Sequence, residues 1–392
     1  MGISFLNVGC RLNYAELDYL ASYFQEKGNG GREDFILINT CAVTQEAERK
    51  SLSLIRRYGK NRPVIVTGCL VGIAREKIEN LPGVYRVLDL AEKEKLIENI
   101  LPLPSRRRAL VKVVDGCPGL CTFCVVPEIR GREIRSKPEE VIFSEISFLV
   151  ARGFSEIVLT GLNLGLYGKE RNSSLTSLLW RIFENCPGDF RVRLSSLEPD
   201  TIDLPLIKAC ASLPVCRHLH LAIQSFHRET LRRMGRRYQP EEVKDKIALI
   251  ISEIPEVNLG CDIIVGFSGE GEEAFLETKK ALEEIPFGYF HIFPFSPRPK
   301  TPAFSLPDDV PKGEKKKRVR VLWELGRRKR KSYEERFFGR ELWAVEEREG
   351  MAVTDNYIRV KVLNPPVPKG IFPIRIVGRD GRWVKGIRRS YV

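Results

Sequence analysis

The sequence predicts an α/β fold in three parts: an N-terminal parallel-sheet α/β domain over residues 1–102, a central open (βα)6 partial barrel over 109–331, and a small C-terminal all-β barrel over 332–392. Three observations predict it. Short continuous apolar runs alternate with helical periodicity through the first hundred residues, as in a parallel sheet covered on both faces. After the proline- and arginine-rich linker "LPLPSRRRAL", six further strand–helix steps follow. That is too few for an eight-stranded barrel, but the right-handed crossover rule curls them into a partial one. From about Phe338 the pattern becomes short strands separated by turn residues.

In the first part, "ISFLNVGC" precedes an amphipathic stretch from Asn13 to Lys27, "FILINTC" one from Thr44 to Tyr58, and "VIVTGC" one from Val71 to Asn80. Cys10, Cys41 and Cys69 each fall at the last position of one of these three strands. The C-terminal strand ends of a parallel sheet share one edge, where open α/β folds bind ligands. Residues about 30 apart in sequence are thereby expected at one rim, as a three-cysteine site.

In the second part, "LVKVVDG" runs directly into "CPGLCTFC", which carries Cys117, Cys121 and Cys124 in C-x3-C-x2-C spacing. Helical patterns follow from Pro138 to Ala151, Ser174 to Glu184, Asp203 to Ala211, Pro240 to Ser252 and Gly271 to Glu284. They alternate with the strands "EIVLTG", "RVRLSS", "HLHLAIQS", "LGCDIIVGF" and "YFHIFPF". The strand ends read "TGLN", "SSLEP", "QS", "VGF" and "PFSPR", polar or glycine-containing in each case. Barrel chemistry sits at such ends.

The third part, "ELWAVEERE", "NYIRVKVL", "IFPIRIV" and "RWVKGI", is basic and carries Trp343, Tyr357 and Trp383. Basic groups with exposed aromatics hold RNA. The aromatics could equally fill the core, and for Trp343 the core is the expected place.

Composition narrows the class. The 392 residues are 43% hydrophobic and 29% charged, ordinary for a soluble globular chain. No apolar run reaches a membrane span, and the start lacks a charged leader region, so the expected location is the cytoplasm, with no membrane partner. Lys and Arg number 64 against 51 Asp and Glu, a formal charge of +13. Eleven of those cations lie between Lys312 and Lys331, and "GRDGRWVKGIRRSYV" adds more, which favours a nucleic-acid partner.

Ten cysteines in a cytosolic chain suit metal or catalysis better than disulfides. Cys186, Cys210, Cys216 and Cys261 are scattered in apolar or irregular surroundings and are expected as small buried core residues. The other six form two triplets. Thiolates bind zinc, copper(I) or iron–sulfur clusters. A four-iron cluster given three thiolates keeps one iron free for a substrate or cofactor, unlike the fully ligated ferredoxin run.

C-x3-C-x2-C heading a strand–helix series, with Phe123 just before the last cysteine, resembles the radical S-adenosylmethionine (SAM) enzymes. With the N-terminal triplet and the basic tail, the chain resembles a methylthiotransferase of that superfamily, ending in a TRAM-like RNA-binding barrel. "GCRLNYAE", "INTCAVT", "VTGC", "IRGREIRS", "LTGLNLGLYG", "RLSSLEP", "HLHLAIQS", "RRMGRRY", "DIIVGF" and "FPFSPRPKTPA" match the family's blocks in order. Departures stand at Phe226, Ser268, Gly271 and Lys300, positions expected to line or border the SAM pocket.

The resemblance implies two 4Fe–4S clusters, a SAM cluster on Cys117, Cys121 and Cys124 and an auxiliary one on Cys10, Cys41 and Cys69. It also implies two SAM molecules: one methylates a sulfur held at the auxiliary cluster, and the other yields the radical that abstracts hydrogen from C2 of an adenine. Phe123, Asn163, Ser195, Glu198 and Gln224 are the candidate SAM contacts. Arg130, Arg132 and Arg135 are candidates for RNA phosphate or the SAM carboxylate. "NTCAVT" most resembles the subgroup acting on N6-threonylcarbamoyladenosine beside the tRNA anticodon. The implied partners are a tRNA anticodon stem-loop and an electron donor such as flavodoxin or ferredoxin. Alternatives are isopentenyladenosine tRNA, a ribosomal-protein aspartate, or a non-catalytic iron–sulfur RNA-binding redox sensor.

Overall fold

The computed structural model describes residues 3–27, 34–104 and 106–389; the Ser390–Val392 end of the basic tail and Ser105 of the linker lie outside the described residues. Its first layer is a four-stranded parallel sheet in the order β1 (Ser4–Asn7), β2 (Ile36–Thr40), β3 (Val64–Gly68) and β4 (Val84–Val87). These strands alternate with α1 (Arg11–Lys27), α2 (Gln45–Tyr58), α3 (Val71–Glu79) and α4 (Leu90–Ile97). β2 and β3 lie in the middle of the sheet and are almost wholly buried, which is why they read as unbroken apolar runs. Thr44 caps α2 by accepting from Ala47 N at 3.1 Å, and Glu46 and Glu48 suit the positive end of its dipole.

Two features correct the sequence reading. β4 and α4 were not expected: "VYRV" is an edge strand with two exposed residues, so no apolar run marks it. The strands end at Asn7, Thr40 and Gly68, so Cys10, Cys41 and Cys69 stand in the loops beyond them rather than at the last strand position. The chain has already turned, and the sulfurs are freed from the pleat's strict alternation.

The central part runs β5 (Ala109–Asp115), α5 (Val126–Arg130), β6 (Arg135–Ser136), α6 (Glu139–Ala151), β7 (Glu156–Gly161), α7 (Leu175–Asn185), β8 (Arg191–Leu194) and α8 (Leu204–Ser212). It continues through β9 (His218–Gln224), α9 (Arg228–Arg233), α10 (Pro240–Glu253), β10 (Asn258–Val265), α11 (Glu272–Glu284) and β11 (Tyr289–Pro294). The six long strands follow one another in parallel, from β5 through β7, β8, β9 and β10 to β11. The β8–β9 join is reduced to the parallel bridges Val192↔Val215 and Leu197↔Leu221. The arc stays open, with β11 at one edge and the two-residue antiparallel β6, not foreseen, at the other. Its core holds Cys186, Cys210 and Cys261, and Cys216 is buried beside Glu156, so all four scattered cysteines are at most 4% exposed, as expected.

Helix α12 (Lys312–Glu335) carries the cation run and spans the expected boundary at 331/332. Lys315 and Arg318 are buried, Arg318 on Glu270 at 3.0 Å, while Trp323 is 57% exposed with Arg327 over its ring. The last part is a closed barrel of β12 (Glu341–Arg348), β13 (Met351–Thr354), β14 (Arg359–Val362), β16 (Trp383–Arg388) and β15 (Phe372–Asp380), in that order. β13 was missed. Trp343 is 51% exposed rather than in the core: on β12 it alternates with buried Leu342 and Ala344, so the pleat turns it outward.

The parts interlock through buried groups. Ala15 of α1 packs on Leu110 and Val158 of the central sheet. Fully buried Glu156 takes Arg193 at 2.7 Å and Arg191 at 2.6 Å. Those two arginines donate to the carbonyls of Trp343, Val353 and Thr354 in the terminal barrel at 2.9–3.0 Å. Among the described residues no helix is long and apolar enough to cross a membrane.

Candidate iron–sulfur and cofactor sites

The N-terminal triplet is assembled by three loops around one amide. Asn13, in the first turn of α1, is 1% exposed and donates through Nδ2 to Val8 O (3.2 Å) and Thr40 O (2.9 Å). Its Oδ1 accepts from the thiols of Cys10 at 3.6 Å and Cys69 at 4.0 Å. Gly9 is needed beside them. Its φ is +129°, and a Cβ there would stand 3.0 Å from Cys41 Cβ and 3.3 Å from Cys41 Sγ. Burial pushes the Cys41 thiol up to about 12, and the neighbouring Cys69 and Cys10 add to the rise. Cys10 is raised by burial and by Cys69. Thiols such as Cys10 and Cys41, held where ionisation is costly, are what a cationic cluster, which supplies the missing positive charge, relieves.

Beneath this rim lies a buried ionic network. Glu16 of α1, 0% exposed, pairs with Lys93 of α4 at 2.5 Å and with Arg130 of α5, and Lys112 reaches it at 3.4 Å. Arg130 also meets Asp115 at 3.1 Å, and its Nη2 lies 3.7 Å from Cys69 Sγ. Burial works against the Glu16 carboxylate, but Arg130, Lys93 and Lys112 outweigh it and hold its carboxyl well below the usual range. The expectation that Arg130 reaches RNA phosphate or SAM is therefore corrected: it is 2% exposed and committed to this network. Arg132 is exposed and paired with Glu128, and Arg135 pairs with Glu94 at 3.5 Å.

The second triplet lies in one loop between β5 and α5. The loop together with α5 is closed by Cys117 N donating to Gly131 O, just past that helix, at 3.0 Å. A Cβ on Gly119 would stand 3.1 Å from Cys117 Sγ and 3.7 Å from Cys121 Sγ, so glycine keeps the space beside the sulfurs clear. Burial raises all three thiols, Cys124 up to about 12.

A cavity beside this loop is lined by Cys117, Cys121, Asn163, Glu198, Arg236 and Tyr238, among others. Arg236 donates through Nη1 to Cys121 Sγ at 3.0 Å and through Nη2 to Ala222 O at 2.6 Å, and it pairs with Glu198. Glu198 is raised by burial in spite of that pair. Asn163 Oδ1 and Ser195 Oγ are buried with no hydrogen-bond partner among the described residues. Ser195 and Gln224 do not line this cavity, and Gln224 has φ +72° at the end of β9. Phe123 packs edge-on to Phe267 at 6.4 Å, in a small cluster with Met234 and Phe295.

None of the four departures lines the cavity either. Phe226 is in the barrel core, Ser268 is buried, Gly271 caps α11, and Lys300 is exposed. Asn13, Arg236 and Tyr238 were not singled out from sequence. Asn13 lies in "GCRLNYAE" and the other two in or beside "RRMGRRY", so the signal was present only as blocks without assigned roles.

The chain's likenesses agree with this geometry. Residues 111–282 match the radical SAM superfamily, and residues 3–88 match the uncharacterized protein family UPF0004. The threonylcarbamoyladenosine tRNA methylthiotransferase MtaB of Thermotoga maritima is 37% identical over 364 residues, which cover 85% of this chain and 83% of that protein. A tRNA-2-methylthio-N6-dimethylallyladenosine synthase of Pelotomaculum thermopropionicum is 34% identical over 360 residues, 81% of this chain and 80% of that one. Among solved structures, the radical SAM methyltransferase TsrM of Kitasatospora setae shares the fold, with a TM-score of 0.57 at 15% identity over 77% of each chain. With that identity sustained along most of both chains, on a frame that seats the C-x3-C-x2-C loop at the first barrel strand, the chain belongs to the radical-SAM methylthiotransferases.

Proposed function

We propose that the protein inserts a methylthio group at C2 of N6-threonylcarbamoyladenosine beside the anticodon of tRNA. In this reading one 4Fe–4S cluster sits on Cys10, Cys41 and Cys69, a second on Cys117, Cys121 and Cys124, and SAM binds beside the second. The observation that carries it is the pair of three-thiol sites at strand ends of one chain, each with a buried arginine on one sulfur. When bound, the clusters and SAM supply the one-electron chemistry that an unactivated aromatic C–H bond requires, since no side chain is a strong enough base for it.

This chain's own residues bind and orient. Asn163 Oδ1, buried and unpartnered in the wall of the cavity beside Cys117 and Cys121, is the acceptor offered to the donors of SAM. Arg236 fixes Glu198 beside Cys121 and so shapes the wall facing that cofactor. The terminal barrel and α12 present Trp343, Trp323 and their cations to the RNA, with the TRAM-like part as its main holder. An anticodon loop makes unstacking of the target base inexpensive. A flavodoxin or ferredoxin supplies electrons in this proposal, and the cytoplasm is its setting.

The threonylcarbamoyl substrate is favoured by "NTCAVT" and by the similarity to the Thermotoga protein. The dimethylallyladenosine reading is favoured by the similarity to the Pelotomaculum protein. Mass spectrometry of tRNA nucleosides from a deletion strain separates them. Loss of the methylthio form of threonylcarbamoyladenosine is expected; loss of the dimethylallyl product alone would refute the proposal.

A further inference from the structure

Arg11 opens α1, one residue after Cys10, and makes no ion pair among the described residues. Its Nη2 donates instead to the hydroxyl of Tyr357, 346 positions away in the terminal barrel, at 3.1 Å. Tyr357 is held with φ +65°, a strained conformation for a bulky residue, and its ring lies tilted against His218 with centroids 4.2 Å apart. Four guanidiniums surround that ring: Arg193 at 5.0 Å, Arg11 and Arg359 at 5.8 Å, and Arg108 at 6.0 Å. Arg108 and Arg193 share Glu156, and Arg108 and Arg359 share Glu347, so two carboxylates serve three of the four cations. Burial opposes ionisation of Tyr357, yet these arginines, Arg11 first, pull its phenol below the ordinary value. Arg11 is the cation left over, with the Tyr357 hydroxyl in place of a carboxylate.

The wall continues from there along the inner face of the partial barrel. Tyr289 OH shares hydrogen bonds with His218 Nε2 (2.7 Å) and His220 Nδ1 (2.9 Å). His220 Nε2 meets Asp262 at 2.8 Å, and Asp262 meets His291 at 3.2 Å. His291 and Phe293 on the free edge strand are 54% and 40% exposed, so the wall is open to solvent at that end. A cation thus lies at the auxiliary-triplet end and a carboxylate at the open end. A planar ligand carrying both an anion and N–H donors is what such a wall fits.

We propose that Arg11, with the Tyr357 hydroxyl, binds the free carboxylate of the threonylcarbamoyl group, and so selects this nucleoside against isoprenoid-substituted and unsubstituted adenosine. The inference rests on the substrate reading above and names the residues that would enforce it. The carboxylate is a few bonds from N6, on the same purine edge region as C2. C2 must come close to the sulfur delivered at the Cys10 loop, so a cation adjoining that loop is where the carboxylate falls. An isopentenyl chain would leave Arg11 desolvated and unpaired, which is the stronger half of the discrimination. RNA phosphate is the rival anion, and the experiment separates the two.

The test uses the reconstituted full chain and hairpin RNAs of one sequence, differing only at the target adenine: threonylcarbamoyl, its carboxamide analogue, isopentenyl, or none. The wild type should bind the acid at least about tenfold more tightly than the carboxamide. Arg11→Gln should erase that preference, and Arg11→Lys should restore part of it. Tyr357→Phe, which removes one atom, should lessen it about two- to threefold and serves if Arg11→Gln fails to load its clusters, as read by iron content and absorbance. Equal wild-type binding of acid and carboxamide overturns the proposal, as does a uniform loss on all four hairpins, the mark of a phosphate contact. Methylthio product is measured on the same wild-type reactions. Product on the isopentenyl hairpin alone would refute the functional reading, whereas product on the threonylcarbamoyl hairpin without acid preference refutes only the role of Arg11.

Discussion

The two cysteine sites reach the same donor set by opposite routes. Cys117, Cys121 and Cys124 sit in one loop, and local geometry gathers them: a tied loop base and a glycine beside two sulfurs. Cys10, Cys41 and Cys69 come from three loops of a parallel sheet, and only the common direction of the strands and the Asn13 amide bring them together. Each site then receives a buried arginine. Arg236 belongs to a small group with Glu198 and Tyr238, whereas Arg130 belongs to a network that crosses from α1 and α4 to β5 and α5. A site made by one loop can stand on local contacts. A site made by three loops has to be braced by the domain interface.

The sharpest break of this comparison is functional. Cys121→Ala should abolish both 5′-deoxyadenosine formation and methylthio product. Cys41→Ala should keep 5′-deoxyadenosine formation and lose only the methylthio product, with part of the iron retained. Chromatography of the SAM products together with iron assay decides it, and loss of both activities in Cys41→Ala would mean that the two sites do not work separately.

A smaller effect follows from the arginines. Arg130→Met leaves Glu16 and Asp115 buried with one cation fewer and should cost about 3–5 kcal/mol in urea unfolding. Arg236→Met leaves Glu198, whose side chain is 24% exposed, within reach of water, and should cost about 1–2 kcal/mol. Equal losses would remove the contrast between a braced and a local site.

The smallest expected effect is on pH dependence, with opposite signs at the two sites. The Glu16 carboxyl is held down, so its stabilisation is complete above the ordinary carboxylate range, about 4.3, and is lost as pH falls through its depressed folded value. Glu198 is held up by burial, so its contribution is complete below that range and is lost as pH rises through its raised value. Urea midpoints against pH should therefore lose part of their acid limb in Glu16→Gln and part of their neutral-side decline in Glu198→Gln.

Legibility followed the same division. The C-x3-C-x2-C loop, the parallel strands of the arc and the helices α6, α7, α8, α10 and α11 were readable because spacing and periodicity are local, whereas the six-residue α9 was too short to show a period. The edge strand β4 and the short β6 were not, because neither carries an apolar run. Trp343 was misplaced because one aromatic in a five-strand barrel can face either way until the register of β12 is fixed.

By itself, the sequence determined the two cysteine triplets, the order of the main strand–helix steps and the surplus of positive charge. It did so because each of these is a matter of residue type and spacing along the chain. Only the tertiary structure decided that Asn13 holds the N-terminal triplet, that Arg130 faces Cys69 rather than RNA, and that Arg11 meets Tyr357. Those are contacts between segments up to 346 residues apart, set by how helices and barrels pack, and no local pattern encodes them.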